Sequence, residues 1–383
     1  MPFLAADRVW ETSTTNGTGH MLLLGAVPGY RAFSSVYDNA VESYFKFHYA
    51  IVNRTGTQWE IGVGSFNFGN ELVREQVLVS TLGISATPET FTDGTKDIFV
   101  TLSAQTQTEA ITVPGGRLTL VTGVPVTSVD QTAKSTLYYT PYSGNRIDLW
   151  DGSVWRPFLF TETSLSLTLI SGKNYDVFGY INTGTDTLNL ELSTAWTTDT
   201  ARATALTTQD GILVKSGAGT RRYLGTLRAT GTNTTEDSLR RRFVWNYYNQ
   251  VPRGLYVNDS ANSWTDNDTL IHQANNSTAN QVEIVAGLAG YCPSITCTTL
   301  LSSTAVGVAN IGIGVNFVEG YNAYTQPDVS VANRRANGTV TYCQPAQLGY
   351  SYYAWLYNVA TGAGTWTWYG SVARSGLSGV WSC

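Results

Sequence analysis

Cysteine is missing upstream of Cys292 in this 383-residue chain, and histidine is confined to His20, His48 and His272. Charged residues make up only 13% of the sequence. So little Lys and Glu leaves few of the residues from which amphipathic surface helices are made. No apolar run approaches the ~20 residues a helix needs to cross a bilayer, so membrane insertion is not expected. The formal net charge of −5 (23 basic minus 28 acidic) offers nucleic acid no general attraction. Gly-x-Ser-x-Gly, His-Glu-x-x-His and the phosphate loop are all absent, which removes those hydrolase, metalloprotease and nucleotide-binding classes. No cofactor is expected. The first residues, Met1-Pro2-Phe3-Leu4-Ala5-Ala6-Asp7-Arg8, lack the basic and apolar stretches of a secretory leader. A chain made in the cytosol and reaching the outside by another route is expected.

What is present in quantity is aromatic (12%), together with Gly, Thr and Ser. β-branched and aromatic residues suit a pleated, half-buried surface, so the expected class is mainly β. Three consecutive modules of β-sandwich or jelly-roll type are expected, at residues 1–130, 136–253 and 254–383.

In the first module, Val41, Ser43, Phe45, Phe47, Tyr49 and Ile51 alternate with Glu42, Tyr44, Lys46, His48 and Ala50. Trp59, Ile61 and Val63 repeat the period of two after the turn Asn53–Thr57, which predicts a hairpin with one buried face. His48 falls on the face expected to be solvated. Further strands are expected at 73–79 and 98–102, with a turn at 91–96. In the middle module, Asp151-Gly152 between apolar runs predicts a hairpin turn. Residues 197–209 are the one stretch that predicts a helix, with Ala201, Ala205 and Leu206 on one face. The module ends where Arg240-Arg241-Arg242 runs into Phe243, Trp245, Tyr247 and Tyr248, and Pro252 and Gly254 break the pattern. In the last module the alternation of 305–317 slips by one near Asn310, as a β-bulge or a tight turn would produce. Tyr353, Trp355 and Tyr357 alternate, as do Trp366 and Trp368 after the loop 358–364, which predicts a hairpin joined by aromatic cross-strand pairs.

Candidate sites are few. Cys292, Cys297, Cys343 and Cys383 do not have ordinary zinc-site spacing. Bonds between Cys292 and Cys297 and between Cys343 and Cys383 stand beside free thiols as readings. Trp355, Trp366, Trp368 and Tyr369 either stack on sugars or fill a core or subunit interface. Arg240, Arg241 and Arg242 form a local positive patch suited to an acidic neighbour. Asp259, Asp266, Asn267 and Asp268 form an acidic cluster without the glycine and terminal glutamate of a calcium loop. Asp148, Asp151 and Glu162 are the carboxylates a glycan-cleaving enzyme would have to place across a cleft. The expectation is that no metal is bound and no reaction catalysed.

Several motifs occur in a fixed order in the first hundred residues: Asp7-Arg8-Val9, Glu11-Thr12-Ser13, Gly17-Thr18-Gly19, Tyr49-Ala50-Ile51-Val52, Trp59-Glu60-Ile61-Gly62-Val63-Gly64, and Phe91-x-x-Gly94-Thr95-Lys96-Asp97. Farther on stand Tyr138-Tyr139-x-Pro141-Tyr142, Gly172-Lys173-Asn174-Tyr175-Asp176-Val177-Phe178, Arg221-Arg222-Tyr223-Leu224-Gly225-Thr226 and Arg242-Phe243-x-Trp245-Asn246-Tyr247-Tyr248-Asn249. In these words the chain resembles virion proteins of tailed bacteriophages, especially tail-fibre and other appendage proteins. The closing Ser375-Gly376-Leu377-Ser378-Gly379 is similar to the tail of fibre-end modules, often jelly rolls that trimerise. The resemblance implies a protein exposed on the particle, with an N-terminal module anchored to capsid or tail proteins. It further implies a homo-oligomer, a trimer by preference, whose C-terminal module meets another copy or a host-surface glycan. A capsid decoration protein or head fibre is the alternative within the class, and a glycan-degrading tailspike the alternative outside it.

Overall fold

The computed structural model describes residues 6–37, 46–84, 87–101, 113–153, 155–182, 184–185, 187–371 and 375–383. The chain is mainly β, built from several sheets. Two 3-10 turns, Phe33–Ser35 and Ala274–Asn276, are among its short helical segments. The contacts divide the chain into two compact units, Met1–Ile111 and Thr112–Cys383.

The N-terminal unit is one antiparallel sheet of β1 (Trp10–Ser13), β2 (Met21–Leu22), β3 (Phe47–Asn53), β4 (Trp59–Phe66), β5 (Glu71–Ser80), β6 (Gly83–Ile84) and β7 (Lys96–Val100). The order is β1-β7-β3-β4-β5-β2, with β6 folding back on β5. The expected hairpin is β3–β4, in register from Phe47 opposite Gly64 to Val52 opposite Trp59. The part of that expectation at residues 41–45 lies outside the described residues. Phe47, Tyr49 and Ile51 pack with Phe33, Leu72 and Ile98. Gly62 and Gly64 are required here, because a Cβ at Gly62 would overlap the Tyr49 hydroxyl and one at Gly64 would press on the Tyr49 ring. That hydroxyl donates to Glu60 Oε1 at 2.7 Å. Arg74 on β5 donates to both oxygens of the same carboxylate, and the pair is buried. His48 is also buried, at 6% exposure, contrary to the expected solvated position. β3 is covered on both faces over most of its length, so an alternating sequence did not mean an alternating exposure.

In the second unit a hairpin of Arg146–Trp150 and Trp155–Leu159 turns at Asp151-Gly152, with Gly152 at φ 109°. A long sheet runs from Thr187–Leu192 through Asn174–Asn182, Ala218–Gly231, Thr234–Asp237 and Arg241–Arg242 to Gln281–Ala286, Gly349–Thr361 and Gly307–Val315. It passes straight across the boundary expected at 253–254. Arg241 and Arg242 lie parallel to Glu283 and Ile284, so the arginine stretch is a join inside one unit and not its edge. A second sheet, ordered Pro252–Val257, Gly376–Ser382, Ser294–Ser303, Trp366–Tyr369, Ser263–Thr265, shares with the long one a core of Ile295, Leu301, Ile311, Trp355, Trp368 and Trp381.

Two further expectations need correction. Residues 197–205 contain no helix, and Leu206–Gln209 is a strand. The backbone carbonyl of Asp199 accepts from Asn174 Nδ2 and from the Tyr350 N–H, and its carboxylate holds Arg228, so tertiary partners outweigh a weak helical pattern. Gly349–Thr361 and Trp366–Tyr369 do not pair as a hairpin. They belong to different sheets, and their aromatic rings meet across the core. The expected bulge is real: the register of Gly307–Val315 against Gly349–Thr361 shifts between Val308 and Ala309.

Candidate functional site

The residues singled out by sequence are largely used inside the fold. Trp355, Trp366 and Trp368 have no exposure, and Trp355 Nε1 donates to Thr299 Oγ1 at 2.8 Å. They fill the core. Tyr369 is half-buried under the Arg335 guanidinium, 4.4 Å from its ring centre. Arg241 pairs with Glu236 and Glu283, and Arg242 with Asp237, while Arg240 lies 3.8 Å from Glu283. The expected patch is therefore balanced within the chain, because the acids brought beside it are distant in sequence or lie on the preceding strand.

All four cysteines are free. Cys292 and Cys343 are exposed, Cys297 and Cys383 buried, so neither expected bond is formed. Burial pushes the Cys297 and Cys383 thiols up to about 12.

The acids likewise serve local purposes. Asp259 accepts from Asn275 and Asn280, and the Asn267 side chain accepts from the Trp366 N–H. Asp266 collects Tyr357 O–H and His272 Nε2, each at 2.7 Å, and its backbone carbonyl accepts from Trp368 Nε1 at 3.0 Å. Burial opposes ionisation of Asp266, but hydrogen bonds from the Asp268 N–H, Tyr357 and His272 outweigh it and hold its carboxyl below the ordinary value. Trp264 Nε1 extends the chain to the Tyr357 hydroxyl. This cluster clasps the 264–272 segment to both sheets. Glu162 accepts from Thr122, Thr140 and the Gly123 N–H, Asp151 accepts from the Ser153 N–H, and Asp148, which has no exposure, sits 3.1 Å from Arg146. Among the described residues no group of three or more His, Cys, Asp and Glu is placed to hold a metal ion.

Two surfaces remain as candidate contact sites. On the N-terminal unit, Arg8, Val9, Trp10, Tyr30, Phe99 and Val100 line an open, mainly apolar hollow of about 380 Å³. Trp10 meets Tyr30 edge-on at 4.7 Å, and its Nε1–H is fixed by Asp97 at 2.9 Å. Asp97 in turn takes a two-pronged contact from Arg54. On the second unit, the segment 316–325 presents Phe317 and Tyr324, 41% and 56% exposed, with Tyr321 stacked on Tyr324 at 5.4 Å. Hydrogen bonds tie the loop to its neighbouring strands. The Asn316 N–H donates to the Tyr352 carbonyl and Asn316 Oδ1 accepts from the Tyr352 N–H, while Asn322 Oδ1 accepts from the Val315 N–H at 2.7 Å. Sequence reasoning missed these rings because it followed tryptophan and strict alternation. The available signal was aromatic residues within the polar, Gly- and Asn-containing run Asn316-Phe317-Val318-Glu319-Gly320-Tyr321-Asn322-Ala323-Tyr324.

No family model matches the chain, and no curated protein matches it. Among solved structures it is similar to the insecticidal delta-endotoxin Cry8Ea1 of Bacillus thuringiensis (8% identity, 98% of this chain and 60% of that one, TM-score 0.21). A tryptic core variant of Bacillus thuringiensis Cry1Da gives 7% identity over 69% and 53%, with TM-score 0.14. A Bacillus subtilis family 43 arabinoxylan arabinofuranohydrolase gives 10% identity over 96% and 79%, with TM-score 0.17. The chain spans little more than half the length of the two endotoxins. Likenesses this slight carry no argument about fold or function.

Proposed function

We propose that the chain is a non-enzymatic structural protein of a tailed-bacteriophage virion, an appendage of tail-fibre or head-fibre type. The N-terminal unit anchors it to capsid or tail proteins, and the second unit presents a contact surface to a host glycan or to another copy. The observation that carries this is where the aromatic surface lies. Trp355, Trp366 and Trp368 are sealed in the core, whereas the 316–325 loop holds Phe317 and Tyr324 in solvent and the N-terminal unit holds Trp10 and Tyr30 around an open hollow. Flat rings on rigid supports suit adhesion, because little side-chain freedom is lost on contact. Exposed Leu24, Phe68, Leu82 and Ile84 on the N-terminal unit suit a surface covered in an assembly. The order of sequence motifs given above supports the same class.

The test is incubation of the purified protein with host cells and with their surface polysaccharide. Binding without release of new reducing ends is the expected outcome. Release of reducing ends would overturn the non-enzymatic assignment.

A further inference from the structure

Three residues that the proposed role leaves unused converge on one amide group in the N-terminal unit. Gly17 and Phe91 form an isolated antiparallel bridge, with Gly17 N–H to Phe91 O at 2.8 Å and the return bond at 3.2 Å. The bridge sets the loop carrying Asn16 against the turn carrying Asp93. Lys96 opens β7 opposite both Ser13 of β1 and Asn53 of β3, and the residue has no exposure. Its Nζ donates to Asn16 Oδ1 at 2.7 Å. At the other end of the same carboxamide, Asn16 Nδ2 donates to Asp93 Oδ1. Asn16 and Asp93 lie at the rim and the lysine stem lies inside.

We propose that Lys96 and Asn16 become joined by an intramolecular isopeptide bond, with Asp93 as the proton-transfer group. An amine hydrogen-bonded to an amide oxygen lies roughly 3–3.5 Å from the amide carbon, the separation from which addition proceeds. Burial lowers the Lys96 pKa, opposed in part by the Asp93 charge, which raises the fraction of amine carrying a free electron pair. That pair attacks Asn16 Cγ and the C–Nζ bond forms. The Asp93 carboxylate takes the surplus proton from Nζ of the adduct and delivers it to Nδ2, the C–Nδ2 bond breaks and ammonia leaves, with Asp93 unchanged at the end. An amine and a carboxamide have become a secondary amide and ammonia, with no change of oxidation state. The bond would tie the segment before β2 to β7 across 80 residues of sequence, limiting the unfolded chain as any covalent crosslink does. The inference does not depend on the virion role.

Intact-mass measurement of the full chain tests it. The expected mass is about 17 Da below that of the unmodified sequence, the ammonia lost when the lysine amine acylates. Trypsin should then yield a branched species joining residues 9–31 to residues 75–117, because the linked Lys96 is no longer cleaved. Asn16→Ala should show the full mass, and its loop position makes it the variant least expected to disturb folding. Asn16→Asp should restore the link with loss of about 18 Da, as water replaces ammonia. A wild-type chain of full mass that yields a free peptide ending at Lys96 would overturn the proposal, leaving a hydrogen bond and nothing more.

Discussion

Tyr357 and Trp368 stack at 4.0 Å between ring centres although they belong to facing sheets of the second unit. That contact, and not a hairpin, is what the aromatic alternation encodes. Removing it should cost stability and leave surface contact untouched. Trp368→Ala should destabilise the second unit by about 3–5 kcal/mol, the range for emptying a large buried aromatic site. Tyr324→Ala should change stability by less than about 0.5 kcal/mol, as surface substitutions do, and weaken cell binding about tenfold, as loss of an exposed anchor does. Denaturant titration and cell-binding curves on the two variants check the pair. A Tyr324→Ala protein that binds normally would remove the 316–325 loop from the account.

The Glu60–Arg74 pair lies in the interior of the N-terminal sheet, with Tyr49 O–H and the Glu89 N–H completing the carboxylate's partners. Glu60→Gln leaves the guanidinium buried without its counter-charge. A loss of about 3–5 kcal/mol is expected, as for other broken buried pairs. Urea unfolding followed by a probe in that unit measures it, and a near-neutral result would mean that the interior is wetter than the packing indicates.

Asp266 predicts a pH dependence with a defined sign. Its carboxyl is held below the ordinary value in the fold, so the folded state binds this proton less tightly than the unfolded chain. The stability it contributes is complete above about pH 5 and is lost as the pH falls through the folded value. Asp266→Asn should lower stability at pH 7 and lose less on acidification than the parent. Paired melting curves between neutral and acid pH give the difference, and parallel curves would contradict the clasp.

The thiols should fall into two classes. Cys292 and Cys343 should react with a thiol reagent in the native protein, whereas Cys297 and Cys383 should react only after denaturation, being buried with thiols pushed up to about 12. Four fast thiols in the native state would contradict the packing of the C-terminal strands.

Much of the fold could be read from the chain because period-two patterns have a direct physical cause. Tyr49 and Ile51, Trp59 and Val63, and the slip near Asn310 all mark real strands and a real bulge. Partnership is less legible. Trp366 and Trp368 announce a strand but cannot say that Trp368 lies between Leu301 and Trp264, and Trp366 opposite Ser303, instead of against Trp355. The supposed seam at Arg240–Gly254 failed for a related reason, since the pairing of Arg241 with Glu283 depends on residues forty positions on, which no local pattern exposes. The contact surfaces were hidden because an aromatic residue in sequence looks the same in a core, as Trp355 is, and on a rim, as Tyr324 is. The convergence of Asn16, Asp93 and Lys96 is likewise a product of topology, because β1 and β7 are neighbours only once the sheet is formed.

The role proposed above makes this chain a built-in part of a tailed-phage particle. Gold-labelled antibody against the purified protein, applied to intact phage particles recovered from cultures that produce the chain and imaged by electron microscopy, tests that most directly. Label is expected at a regular position on every particle, at the tail for a tail fibre or on the head for a head fibre. Particles that remain unlabelled, with the protein recovered only from lysed host cells, would contradict it.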